Sequence, residues 1–486
     1  MQISPLLVVA LILTAPLSAQ QPPASPQPPR KLLNPSVAHY PHQLESDLES
    51  LRQAALSSDY AYRQVAHLTE NIGPRLSGSA QAQTAVEYVA GELKRLGLEV
   101  TLEKVMVPHW VRGVETGALV EFPGQSPNTT QKIVLTALGG SVATSVEGIT
   151  AEVVTVNNFD ELHALGQDKV TGKIVLFDEK FDKRMVAAGL AGEAYGQAVI
   201  YRALGANEAA KLGAVAALLR SVGGAEFRLP HTGASFYLPD VPKIPFGAVT
   251  AEDANLLVNL AAQGKVRMHL TLTPQTLPDA PSFNVIADLK GGEHSEQVVI
   301  VSGHLDSWDL GTGAIDDAAG VAVAMQAAQL LKQLHLRPKR TIRVIAWMNE
   351  ENGGAGSKAY AKDYAAEVAN HVAVIESDQG AGHPIGFSVH AVPLAIQNLK
   401  RLSLILQSIG AGSLSYAEEA EADITPLERL GVPAFGIHQD GRTYFDYHHT
   451  AADTLDKVDP KLLQENAAAM AMLAYTIANL PDPLPR

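Results

Sequence analysis

Apolar positions recur at two different periods along this chain. Through residues 44–96 the spacing is helical: Val86, Val89, Leu93 and Leu96 share one face, and Gly97 ends the run. Asn71-Ile-Gly-Pro-Arg-Leu-Ser-Gly-Ser79 is rich in turn formers and splits that region in two. Alternation over 99–107 and 118–122 predicts two strands. From 123 to 273 short β-like runs (152–156, 173–177, 199–201, 214–219) alternate with Gly- and Ala-rich helical pieces such as 207–213. From Phe283 onward strands at 284–289, 298–302, 342–348, 372–376 and 432–437 alternate with helices at 318–334, 357–364 and 394–408. The unbroken apolar run Val298-Val-Ile-Val301 suits a strand covered on both faces. Helical crossovers between such strands predict a mostly parallel sheet in a three-layer α/β/α domain.

The texture of 123–273 differs from what flanks it, and it holds no dense cluster of His and acidic residues. It is expected to be a smaller inserted α+β domain, leaving 44–122 and 274–486 as the two parts of the α/β domain. At the N-terminus, the apolar stretch 6–17 followed by Ser18-Ala19-Gln20 reads as a signal peptide (1–19) cut near Ala19. It is shorter than the roughly 20 residues a membrane span needs. Residues 20–43 follow as a linker, with five prolines between Gln20 and Arg30. The mature chain is therefore expected without a membrane span, exported to the periplasm or secreted.

Composition narrows the chemistry. Fifty-one acidic against 37 basic residues give a net charge of −14, which argues against a nucleic-acid partner because phosphate binding needs concentrated positive charge. There is no cysteine, so no disulfide, thiolate zinc site or cysteine nucleophile is available, and a metal site must be built from His, Asp and Glu.

Those residues gather just after the buried strands, at Gly303-His-Leu-Asp-Ser-Trp308, Trp347-Met-Asn-Glu-Glu-Asn-Gly353 and Glu376-Ser-Asp-Gln379. Sites in parallel α/β sheets form outside the carboxyl ends of the strands. Asp316 lies just before the 318–334 helix and His449 lies in His448-His-Thr-Ala-Ala-Asp-Thr454. Bare carboxylates crowded into one crevice repel and raise each other's pKa, a conflict two divalent cations resolve. The expected division gives His304 and Asp378 to one metal and Glu351 and His449 to the other, with Asp316 bridging. Glu350 is placed as general base toward a metal-bound water. Asp306 is expected to orient His304, and Asp453 to orient His449. Arg442 and Tyr444 are candidate substrate contacts. Taken singly, each has a bland reading: Asp316 as a helix cap, Glu350-Glu351 as a solvated turn, His448-His449 as a surface pair. Together they favour a metal site. No His-Glu-x-x-His or Gly-x-Ser-x-Gly occurs, and Ser77-Gly78-Ser79 lacks the elbow's first glycine.

Five of these segments resemble the metal-site motifs of the M28 zinc peptidases: Gly303-His-Leu-Asp-Ser-Trp308, Gly313-Ala-Ile-Asp-Asp317, Asn349-Glu-Glu-Asn-Gly353, Glu376-Ser-Asp378 and His448-His-Thr-Ala-Ala-Asp-Thr454. Asn71 to Ser79, Leu219-Arg-Ser-Val222, His231-Thr-Gly233 and Pro242-Lys-Ile-Pro245 resemble a carboxypeptidase branch of that family. Gln379 and His448 stand where relatives vary. The resemblance implies that the inserted domain is a protease-associated (PA) domain, and it implies two Zn2+ per chain and a homodimer. It also implies dipeptidase or carboxypeptidase action on short unblocked peptides, with His304, Asp316, Glu351, Asp378 and His449 as ligands and Glu350 as base. M28 aminopeptidases, non-catalytic receptor-like relatives and a single-zinc glutaminyl cyclase are the competing expectations.

Overall fold

The computed structural model describes residues 40–486; the signal peptide and most of the linker expected from sequence lie outside them. Two eight-stranded sheets organise the described residues. The first runs in the order Glu99–Val111, Gln275–Leu289, Arg340–Trp347, His294–His304, His371–Glu376, Ala434–Gln439, Pro384–His390, Ser413–Tyr416. Its centre is parallel, from Arg340–Trp347 through His294–His304 and His371–Glu376 to Ala434–Gln439. Antiparallel pairings flank that centre, and Pro384–His390 with Ser413–Tyr416 is parallel again, so four of the seven pairings are parallel, as expected of a mostly parallel sheet. The three central neighbours that start this centre end in chemistry-bearing residues at the same edge.

Val299, Ile300 and Val301 are fully buried because helices cover both faces. On one face Ala319–Gln333 packs against the C-terminal helix Pro460–Asn479 and against His42–Leu56. Its alanines (Ala322, Ala324, Ala327, Ala328) let backbones approach, and Gly320 is needed where Ser377 O lies 1.9 Å from an added Cβ. Each large aliphatic side chain buried here contributes about 1.5–3 kcal/mol.

The second sheet runs Gln131–Ile133, Glu115–Glu121, Arg267–Leu272, Ile149–Val156, Ile174–Phe177, Ala216–Arg220, Phe246–Val249, Leu135–Ala137. It starts ahead of position 123, because Glu115–Glu121 pairs with Arg267–Leu272. The expected β-run at 199–201 is helical, inside Ala191–Lys211. Ala194, Ala198, Ala206 and Ala210 are buried at four-residue multiples, and that stripe overrides the local β-branched pair. The helix expected at 394–408 is broken at Leu399 into Pro393–Asn398 and Lys400–Leu406.

Candidate metal centre

Parallel pairing brings His304, at the end of His294–His304, level with Trp347, after which come Glu350 and Glu351. Ser302 pairs with Glu376, two residues before Asp378. Three segments thus deliver side chains to one edge of the sheet. Asp316 enters from the turn ahead of Ala319–Gln333, and His449 from the loop before the C-terminal helix.

The two histidines are held alike. His304 Nδ1 lies 2.9 Å from the Asp306 main-chain oxygen, and His449 Nδ1 lies 3.3 Å from that of Thr232. A carbonyl oxygen only accepts, so in both rings Nδ1 carries the proton and Nε2 presents a lone pair. His304 Nε2 then faces Asp316 Oδ1 at 3.0 Å and Asp378 Oδ1 at 3.1 Å. His449 Nε2 faces Asp316 Oδ2 at 3.2 Å and Glu351 Oε2 at 2.9 Å. Lone pairs of this kind converge stably only on a cation or a proton.

These atoms form two three-residue groups, His304–Asp316–Asp378 and Asp316–Glu351–His449, with Asp316 giving one oxygen to each. The donor set fits two divalent cations. All five residues are sulfur-free N/O ligands, and the groups are almost wholly shielded from solvent. Glu351 Oε1 is buried with no hydrogen-bond partner. Burial, and then the charge of Asp316, pushes Glu351 up to about 7. Burial also raises Asp378 and lifts Glu350 well above the usual carboxylate range. Asp316 alone is held well below it: burial opposes, but His448, His304 and His449 outweigh burial. Such uncompensated negative charge is what bound cations relieve.

The supporting residues differ from expectation in two places. The Asp306 carboxylate accepts from the Ser77 hydroxyl (2.8 Å) and from Asn349 and Glu350 N–H (2.7 and 3.1 Å); His304 is oriented by its carbonyl instead. Asp453 does not reach His449. Its Oδ1 accepts Ala314 and Ile315 N–H, both at 2.8 Å, and so shapes the turn that carries Asp316. The His449 partner is Thr232, from the segment joined to the second sheet, and Thr232 N–H in turn donates to His449 O at 2.9 Å. No side-chain signal could have announced a main-chain partner 217 residues away.

A cavity of about 1200 Å3 opens onto the cluster. Tyr444 lines it, with its hydroxyl 3.5 Å from the Asp378 carbonyl. Arg442 lies at its exposed rim, already engaged by Asp440. Sequence reasoning passed over Arg202, Tyr195 and Glu421 around this space, and gave His231 no role beyond its place in a segment of family resemblance. His231 Nε2 lies 3.2 Å from His448 Nδ1, and His448 Nε2 is 3.5 Å from Asp316 Oδ2. Arg75, buried between the loops, donates to the carbonyls of Leu305, Thr312 and Gly313.

Comparison with known proteins agrees with this geometry. The pattern of Peptidase family M28 matches residues 284–474, the part that carries every expected ligand. Carboxypeptidase Q of Bos taurus is 39% identical over 452 residues, covering 93% of this chain and 92% of that one. The probable leucine aminopeptidase 2 of Aspergillus oryzae is 24% identical, covering 94% and 89%. Among solved structures, the peptidase M28 precursor of Shewanella amazonensis superposes with a TM-score of 0.86 at 37% identity, covering 91% and 98%. With an almost full-length relative at that identity and a buried His/carboxylate cluster at the sheet's edge, the chain belongs to peptidase family M28 and is a metallopeptidase.

Proposed function

We propose that the protein is an exported di-zinc exopeptidase that hydrolyses dipeptides or short peptides. The observation that carries the reading is the pair of ligand groups sharing Asp316, with Glu350 alongside. His304 and Asp378 would hold one ion, Glu351 and His449 the other, and Asp316 both. Zinc at such a site supplies Lewis acidity, polarising the scissile carbonyl and making water more acidic. Glu350 lines the cavity beside a ligand without joining either group. Its carboxyl, raised by burial, is suited to accept the proton of the attacking water and pass it to the leaving amine nitrogen. Thr232 and the Asp306 carbonyl keep both imidazoles in the tautomer that leaves Nε2 free.

Carboxypeptidase action is favoured over aminopeptidase action, since the relative named for the former is much more similar than the one named for the latter. The second sheet is read as a PA-like inserted domain, the N-terminal apolar stretch as a signal peptide, and the assembly as a homodimer. The test is hydrolysis of an unblocked dipeptide by the zinc-loaded protein, with turnover lost on chelation. Glu350→Gln should abolish turnover while two zinc ions per chain still bind. Retained activity in that variant would sink the assignment, and a count of one zinc would replace the two-metal site with a single-metal one.

A further inference from the structure

The cavity facing the cluster holds two ionisable groups, one basic and one acidic, that have no partner of opposite charge among the described residues. The first is the Arg202 guanidinium on Ala191–Lys211. Its Nη1 donates to the Tyr195 hydroxyl at 2.5 Å and to Thr232 O at 3.4 Å. It also lies 3.4 Å from His449 Nδ1, whose proton already goes to Thr232. Nε is buried without an acceptor, and Arg202 makes no salt bridge among the described residues. The second is Glu421, whose Oε1 accepts from Gln379 Nε2 at 2.8 Å and which has no cationic partner among the described residues. The other charged residues of the cavity outside the metal cluster and Glu350 are satisfied. Arg442 is held by Asp440, Glu419 by Arg429, and Glu193 is exposed to water.

Their placement is ordered. The cluster runs from His449 through Glu351, Asp316 and His304 to Asp378. Arg202 touches the His449 end. Glu421 is tied to Gln379, the residue after Asp378, at the other end. Both groups are half-buried, where a charge without a counter-charge is costly. Burial lifts the Glu421 carboxyl well above the usual carboxylate range, and a ligand of opposite sign would hold each group in its charged form.

We propose that the cavity reads both ends of a short zwitterionic peptide. Arg202 takes the free α-carboxylate and Glu421, braced by Gln379, takes the free α-ammonium, with the scissile bond over the cluster between them. This rests on the peptidase reading, deepens it, and fixes the direction in which the peptide lies. Charge-assisted contacts of this kind contribute roughly 10- to 100-fold each. A capped terminus forfeits its contact and leaves the facing charge unpaired, so both capped forms are rejected.

The test compares alanyl-alanine, its C-terminal amide and its N-acetyl derivative on the zinc-loaded protein. Wild type should discriminate against both capped peptides. Arg202→Gln should lose roughly 10- to 100-fold in kcat/KM on alanyl-alanine and little on the amide. Glu421→Gln should mirror it, losing on alanyl-alanine and little on the N-acetyl peptide. Arg202→Lys, which keeps the charge without the planar fork, should fall between. Calorimetric binding of the three peptides to the Glu350→Gln protein gives the same comparison without turnover. A variant that weakens all three peptides equally, or that keeps the wild-type discrimination, overturns the proposal. Failure of wild type to cleave any of them, with the binding pattern intact, defeats the peptidase reading and leaves the charge assignment standing. Absence of that binding pattern as well defeats both.

Discussion

Arg75 should be among the most sensitive residues in the protein, although it touches no predicted ligand. Its guanidinium is fully buried and has no carboxylate partner at hydrogen-bond distance. Instead Nε donates to Leu305 O (2.7 Å), Nη1 to Thr312 O (2.8 Å) and Gly73 O (3.3 Å), and Nη2 to Gly313 O (2.8 Å). Leu305 directly follows His304, and Gly313 lies three residues before Asp316, so one side chain pins the two turns that set the shared ligand group. Arg75→Met keeps bulk but removes four hydrogen bonds and leaves the Leu305, Thr312 and Gly73 carbonyls without a partner among the described residues, while Gly313 O keeps the Ala318 N–H. Hydrogen bonds to a charged group are worth about 1.5–3 kcal/mol each, an upper bound of roughly 6–12 for the set. Desolvation offsets part of this, since burial pulls the Arg75 pKa down. The net loss then falls near 3–5 kcal/mol, the range for breaking a buried charged network. It also removes positive charge near Asp453, Asp306, Asp317 and Asp316. The assay is urea unfolding of the metal-free protein together with calorimetric zinc titration. Arg75→Lys, with three donors and no fork, should be intermediate in both. A loss under about 1 kcal/mol for Arg75→Met, with unchanged zinc affinity, would refute the idea that this residue sets the ligand turns.

Asp453→Ala strips two buried N–H groups of their acceptor beside Asp316, and zinc affinity should drop about 10- to 100-fold by titration. Gly320→Ala places a Cβ 1.9 Å from Ser377 O and 2.4 Å from the Asp317 carboxylate, so a loss of about 1–3 kcal/mol is expected from the urea midpoint. Gly91→Ala, mid-helix with nothing near its Cβ, should instead gain about 0.5–1 kcal/mol. Chelated protein should lose thermal stability as pH rises. Burial and Asp316 raise Glu351 and Asp453 to about 7, so between about pH 4 and 7 the folded state binds protons the unfolded chain has released. His449 extends the loss toward about 9; burial opposes, but Glu351 and Asp316 hold its proton. Zinc displaces those protons, so the zinc-loaded protein should gain stability over the same range, and parallel slopes with and without zinc would count against the site.

The candidate ligands were legible because chemistry at strand ends leaves a local mark. A continuous apolar run followed within a few residues by His or paired carboxylates needs no knowledge of partners, and it located His304, Glu350, Glu351 and Asp378. Helices with a strong apolar stripe, such as Ala80–Arg95 and Ala319–Gln333, were legible for the same reason. What failed was short-range inference in Ala-rich sequence. Val199-Ile-Tyr201 looks extended in isolation, and only the stripe from Ala194 to Ala210 marks the helix. The strands Pro384–His390 and Ser413–Tyr416 escaped notice because they are short and carry exposed positions such as Ile385 and Tyr416.

The supporting residues were misassigned for a more general reason. Sequence proximity suggested Asp306 for His304 and Asp453 for His449, since a carboxylate nearby in sequence is the usual partner of a ligating imidazole. In each case a main-chain carbonyl takes that position, and the carboxylate turns to nearby N–H groups. A carbonyl is present at every residue, so nothing in composition can select Thr232. The consequence is structural as well as interpretive. Because Thr232 holds His449 and Arg202 flanks it, the segments attached to the second sheet complete the pocket and do not merely decorate it. Deleting that lobe should therefore disturb His449 and the carboxylate-facing side of the cavity together, while the His304–Asp316–Asp378 group, built entirely from the first sheet and its turns, keeps its geometry.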